Sequence, residues 1–300
     1  MAANPIGIPN GEVVAPGRRA TGLASLWRRL PVVVRAPVVA LALGLAGNGP
    51  WALLALANLH YLPSVPWSVP PAAVYLWLWW RYLGGAGPPR ATAEERRRRL
   101  RAGAVSTPVW RWSLWALGFH AATMSAVGLV ARRFVDPTPY RFPDIPPSVS
   151  PLTMAALLIM VSVVAGVVEE ATFRGYMQVP IERRHGPVVA VAVVSVVFTL
   201  AHLGSYPGMS PGFFVAFVVS VSGYSIVACL AGSILPGLVF HSAGNAAALL
   251  TWWFFRPQTL VPRFTETGAD VLFWIDCLEV PVFGLLALWA YRRLARAARG

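Results

Sequence analysis

From residue 37 onward the chain returns repeatedly to apolar runs of about bilayer length, near 37–60, 68–84, 108–131, 151–182, 187–204, 212–232, 234–253 and 271–291. Roughly 20 apolar residues in a helix cross the hydrocarbon of a membrane. In lipid the backbone finds no water, so each run must satisfy its own N–H and C=O groups as a helix. The expected fold class is all-α, a polytopic membrane helix bundle of about eight transmembrane helices. The first run is interrupted by Gly47, Asn48, Gly49 and Pro50, which leaves a count of seven open. Composition agrees: 56% of the 300 residues are hydrophobic and 12% are charged, with mean hydropathy +0.58. A soluble domain carries about twice that charged fraction.

The net charge of +13 is carried by 25 basic residues, all arginine. That bias hints at a GC-rich, bacterial genome. No nucleic-acid motif accompanies the run Arg96–Arg99 with Arg101, so it reads as a cytoplasmic loop under the positive-inside rule, in contact with anionic headgroups. The N-terminal tail (Arg18, Arg19, Arg28, Arg29), the 85–107 loop, the Arg183–Arg184 turn and the C-terminal tail are then cytoplasmic. Arg132, Arg133, Arg141, Arg256 and Arg263 fall on the other side, so the bias is incomplete. The proline-rich 132–150 loop is expected to be an outer, non-helical connection. No early apolar core with a small-residue cleavage site precedes the first run, so an uncleaved anchor in the plasma (cytoplasmic) membrane with both termini cytoplasmic is expected. Cys229 and Cys277 lack metal-ligand spacing and read as small buried hydrophobes. The organisation expected is a cytoplasmic arginine-rich tail (1–30), N-terminal membrane helices and loops (31–150), a catalytic core (151–253), and a last helix with a basic tail (254–300).

Within this apolar frame a few polar residues stand out. Glu169 and Glu170 lie side by side in VSVVAGVVEEATFRGYMQ, with Arg174 four residues on. Ionisable groups inside a bilayer are costly and usually functional. Glu170 and Arg174, four apart in the acid-first order, form a structural pair. Glu169 points about 100° away from Glu170 at 3.6 residues per turn, with no basic residue of its own at helical spacing. It reads as a general base. The sequence Arg183-Arg184-His185-Gly186-Pro187 is a helix stop and restart. Glu169 lies 17 residues before Gly186 and His202 lies 16 after it. Antiparallel helices leaving that turn bring both to the same depth, roughly 25 Å along. His241 and Asn245 share a face of the seventh run, at a level somewhat shallower.

Two chemistries remain open on these residues. In one, Glu169 and His202 deprotonate a water, while His241 and Asn245 donate to the developing oxyanion. In the other, Glu169, His202 and His241 bind a divalent metal such as zinc, although the HExxH ligand pair is missing. Phe198, four residues before His202, packs against the site. The bland alternative is a polar network that holds helices together. His60 and His120 read as packing residues, and the tryptophans Trp77, Trp79, Trp80, Trp252 and Trp253 as interfacial belts.

The ordered set Glu169-Glu170-Ala-Thr-Phe-Arg174, Phe198-Thr-Leu-Ala-His202 and His241-Ser-Ala-Gly-Asn245 resembles the CPBP family of CAAX prenyl endopeptidases and bacteriocin-processing, Abi-like membrane proteins. The resemblance covers about residues 150–253. It implies an intramembrane endopeptidase, labelled a metalloprotease in part of the family, acting on a membrane-associated peptide or protein. It also implies that Glu169 and His202 activate water and that His241 and Asn245 hold the oxyanion; beside them Glu170, Arg174 and Phe198 read as structural or orienting residues. The alternative is a non-enzymatic membrane scaffold or bacteriocin-immunity protein on the same fold. A transporter would call for inverted repeats, and none is visible.

Overall fold

The computed structural model describes residues 22–135, 145–255 and 261–300. Arg18, Arg19, Arg141, Arg256 and residues 136–144 of the proline-rich loop lie outside the described residues. The chain divides at Pro31. The first unit contains α1 (Gly22–Arg29), a short helix with Arg28 and Arg29 in its last turn. The second unit, Val32–Gly300, contains the remaining helices.

All eight apolar runs form helices. They are α2 (Val32–Tyr61), α3 (Val69–Leu83), then, after a short basic helix α4 (Ala93–Leu100), α5 (Thr107–Arg132) and α6 (Pro151–Glu169). α6 continues through a π-helical stretch, Glu170–Met177, into α7 (Gln178–His185). There follow α8 (Pro187–Ala201), α9 (Pro211–Ala231), α10 (Leu235–Phe255), a single turn α11 (Phe264–Thr267) and α12 (Val271–Ala297). α2 runs straight through Gly47 to Pro50, so the first run is one helix. Five helical segments are long and apolar enough to cross a membrane, namely α2, α5, the continuous Pro151–His185 segment, α9 and α12. The protein is a multi-pass helical membrane protein.

The turn between α7 and α8 follows from its residues. Gly186 has φ +83°, which favours glycine, and Pro187 opens α8, where a missing N–H costs nothing. Pro180 has no N–H to offer Tyr176 and its ring crowds that carbonyl. The π stretch ends at Met177, three residues before Pro180. A π turn spends more residues per turn and so climbs less per residue.

The α6–α10 contact fixes the site. Gly166 makes it possible, because a Cβ there would sit on the Ser242 hydroxyl and 3.1 Å from the Leu238 carbonyl. Gly166→Val is therefore expected to destabilise the protein by about 1–3 kcal/mol through overpacking, and to lower activity with it. A thermal melt in detergent of the variant beside wild type measures the loss.

Several arginines have packing roles that topology alone did not assign. Arg96 is 6% exposed, with its guanidinium on the carbonyls of Ala86 and Gly87 and over the Tyr82 ring. Arg133 is 2% exposed and pairs with Asp270 at 3.1 Å and Asp276 at 3.5 Å, joining α5 to α12. The Phe273 N–H, followed by Arg133, holds the Asp270 carboxyl below its ordinary value. On α4, Glu95 accepts from Arg99 at 2.7 Å, and that bond holds its carboxyl low as well. The tryptophan belt needs one correction. Trp79 is 7% exposed and lies in the core cluster, whereas Trp77 and Trp252 are exposed.

Candidate active site

The π stretch lies within the continuous Pro151–His185 helix and carries Glu170 and Arg174, both fully buried. Their carboxylate–guanidinium distance is 3.2 Å. Arg174 Nη2 donates to the Val221 carbonyl of α9 at 3.1 Å. Its guanidinium also lies 4.5 Å above the Phe198 ring and 5.2 Å above the Tyr224 ring. Arg174 Nε and Glu170 Oε2 have no hydrogen-bond partner, so the aromatic faces supply part of the cation's compensation.

Glu170 does more than pair with Arg174. Its Oε1 also accepts from His241 Nδ1–H at 3.0 Å, across 71 residues of sequence. A carboxylate can only accept, so this bond puts a proton on Nδ1 and turns Nε2 outward. His241 Nε2 then faces Glu169 Oε2 at 3.7 Å. A Cβ at Gly237, one turn earlier on α10, would come within 3.1 Å of Glu170 Oε2, so α10 approaches the carboxylate closely.

His202 is oriented in the same way from another side. It caps the C-terminus of α8, and its Nδ1–H donates to the Phe198 carbonyl at 2.8 Å. Its ring stacks on Phe198 with centroids 4.3 Å apart. Nε2 is left facing Glu169 Oε1 at 3.8 Å. Phe198, 3% exposed, therefore lies between the Arg174 cation and the His202 imidazole.

The result is two layers of different character. Glu169, His202 and His241 keep side-chain exposures of 16%, 24% and 10%, while Glu170 and Arg174 behind them have none. Arg174 of the same continuous helix is paired with Glu170, and two imidazoles from other helices face Glu169. Distances of 3.7–3.8 Å exceed a hydrogen bond and leave a water within reach of both partners. Asn245 lies one turn beyond His241 on α10, half-buried, and its amide makes no hydrogen bond to a described residue. Among the described residues no three His, Cys, Asp or Glu side chains converge closely enough to hold a metal ion.

Sequence spacing did not mark Tyr224, whose ring lies 5.0 Å from His241 and beside Arg174. It lies on α9 amid apolar residues, and neither motif nor periodicity distinguishes it. His120 has the packing role expected of it, with Nε2 3.1 Å from the Val219 and Ser220 carbonyls of α9.

Residues 151–247, about a third of the chain, match the family model for Type II CAAX prenyl endopeptidase Rce1-like proteins. That span runs from the start of α6 past Asn245 and contains Glu169, Glu170, Arg174, Phe198, His202, Tyr224, His241 and Asn245. No curated protein and no solved structure matches the chain. Through this segment the chain is similar to Type II CAAX prenyl endopeptidase Rce1-like proteins.

Proposed function

We propose that this protein is an intramembrane endopeptidase that hydrolyses peptide bonds of membrane-associated peptides or proteins with a water activated by Glu169 and His202. The observation that carries the reading is an accessible carboxylate faced by two imidazole Nε2 atoms at 3.7–3.8 Å, with a buried Glu170–Arg174 pair behind it. A packing network has no need of a partly accessible, loosely partnered glutamate at its centre.

The chemistry follows from the hydrogen bonds. With Nδ1–H committed to the Phe198 carbonyl, His202 Nε2 accepts from the attacking water and aims it. Glu169 takes the second proton as hydroxide adds to the scissile carbonyl. As an imidazolium, His241 donates from both nitrogens, Nδ1–H to Glu170 and Nε2–H to the oxyanion. The Asn245 amide is the second oxyanion donor. When the C–N bond breaks, protonated Glu169 returns its proton to the leaving amine. Were a divalent metal such as zinc held here, Glu169, His202 and His241 would be its donors, and it would lower the pKa of a bound water.

The arginine distribution supports a plasma-membrane orientation with the Arg183–Arg184 turn and both termini on the cytoplasmic side. The test is cleavage of a quenched membrane-peptide library by purified protein in lipid, with and without a chelator. Activity unchanged by chelator is expected. Loss on chelation that zinc restores would replace this mechanism with a metal-dependent one.

A further inference from the structure

We infer that the arginine-bearing end of the bundle contains a built binding site for one anionic phospholipid, between α4, α7 and the start of α10. A pocket of about 730 Å³ opens there. Its rim carries Arg97, Arg98, Arg101 and Arg183, no lining residue is acidic, and its floor includes Trp80 and Leu100.

The ion pairs in this region hold the guanidiniums from outside the pocket. Arg98 pairs with Glu94 at 2.5 Å, Arg101 with Glu182 at 2.9 Å, and Arg183 with Glu95 at 3.8 Å. Arg97 has no ion-pair or hydrogen-bond partner among the described residues. Arg101 is fixed further by a left-handed backbone, φ +52°, unusual for a residue with a side chain. That conformation persists because the Arg101 carbonyl accepts from Ile234 N–H at 2.9 Å and its guanidinium reaches the Ala228 carbonyl at 3.3 Å. Sparsely populated backbone held by its surroundings is common at binding sites.

The position selects the ligand. α3 ends at Leu83, α9 at Ala231, and α10 begins at Leu235, so the pocket lies where apolar helices stop. A cationic rim over an apolar floor at that level matches a phosphodiester headgroup joined to acyl chains. Basic pockets between membrane helices bind lipid headgroups in this way, and the planar arginine fork pairs with phosphate oxygens. A free anion would gain nothing from Trp80 or Leu100. The site is independent of the proposed peptidase activity. It does abut the catalytic helix, since the carbonyls of Arg99 and Leu100 would lie 2.9 and 3.1 Å from a Cβ at Gly175.

The test is native mass spectrometry of the full chain released from phosphatidylcholine nanodiscs containing a minority of phosphatidylglycerol. Wild type is expected to retain one phosphatidylglycerol. The triple variant Arg97→Gln, Arg98→Gln, Arg183→Gln is expected to lose it, with affinity weakened by on the order of a hundredfold. A control triple variant, Arg292→Gln, Arg293→Gln, Arg296→Gln, removes equal charge from α12 and is expected to retain the lipid. If the first triple variant does not fold, Gly103→Trp fills the pocket without removing charge and is expected to expel the lipid. Four results would overturn the site: equal retention of phosphatidylcholine, retention by both pocket variants, equal loss in the α12 variant, or displacement of the lipid by inorganic phosphate alone.

Discussion

Glu170→Gln is expected to cost about 3–5 kcal/mol of stability, because it leaves the Arg174 guanidinium charged and uncompensated in the bundle centre. Both side chains are fully buried, and Arg174 Nη1 lies 3.2 Å from Glu170 Oε1. The aromatic faces of Phe198 and Tyr224 and the Val221 carbonyl remain, but none of them is an anion. Folded yield from membranes and the melting temperature in detergent measure the effect. The double variant Glu170→Leu with Arg174→Met separates stability from function. Removing both charges of a buried pair together is often close to neutral, so yield is expected to recover. Activity is expected to stay lost, because His241 Nδ1–H has lost the acceptor that orients its ring. A double variant that recovers both would show Glu170 to be a charge partner only.

Glu169→Gln is expected to have the opposite profile. Its contacts with His202 and His241 are 3.8 and 3.7 Å, too long to hold the fold, and glutamine keeps the shape. The melting temperature should therefore match wild type. Glutamine cannot take the proton of the attacking water, so kcat should fall by on the order of 10²–10⁴-fold with little change in KM. The two adjacent glutamates differ in exposure, 16% for one and none for the other, and in partners, since Glu170 alone pairs with Arg174.

The helices were legible because apolar length and arginine placement act locally along the chain. The Gly186–Pro187 stop placed Glu169 and His202 at one depth, and the structure brings them to 3.8 Å. His241 looked too shallow because the α-helical rise was applied throughout. The π stretch over Glu170–Met177 climbs less per residue, and this shortens the path from the turn to Glu169. Spacing of four also identified the Glu170–Arg174 pair but could not show the bond from Glu170 to His241, which depends on two helices meeting at Gly166 and Gly237. The same limit applies to Arg96 and Arg133. A charge count assigns them to a side of the membrane, whereas their backbone and carboxylate partners are long-range or loop-borne. Tyr224 was invisible for a related reason, since an aromatic residue in an apolar helix carries no signal of what it will face.

The most direct measurement compares wild type with Glu169→Gln, at equal folded amounts in lipid, on one quenched membrane-peptide library, with fragments identified by mass spectrometry. A Glu169-activated water predicts fragments from wild type alone. The same fragments from both proteins at similar rates would contradict it and remove Glu169 from the chemistry.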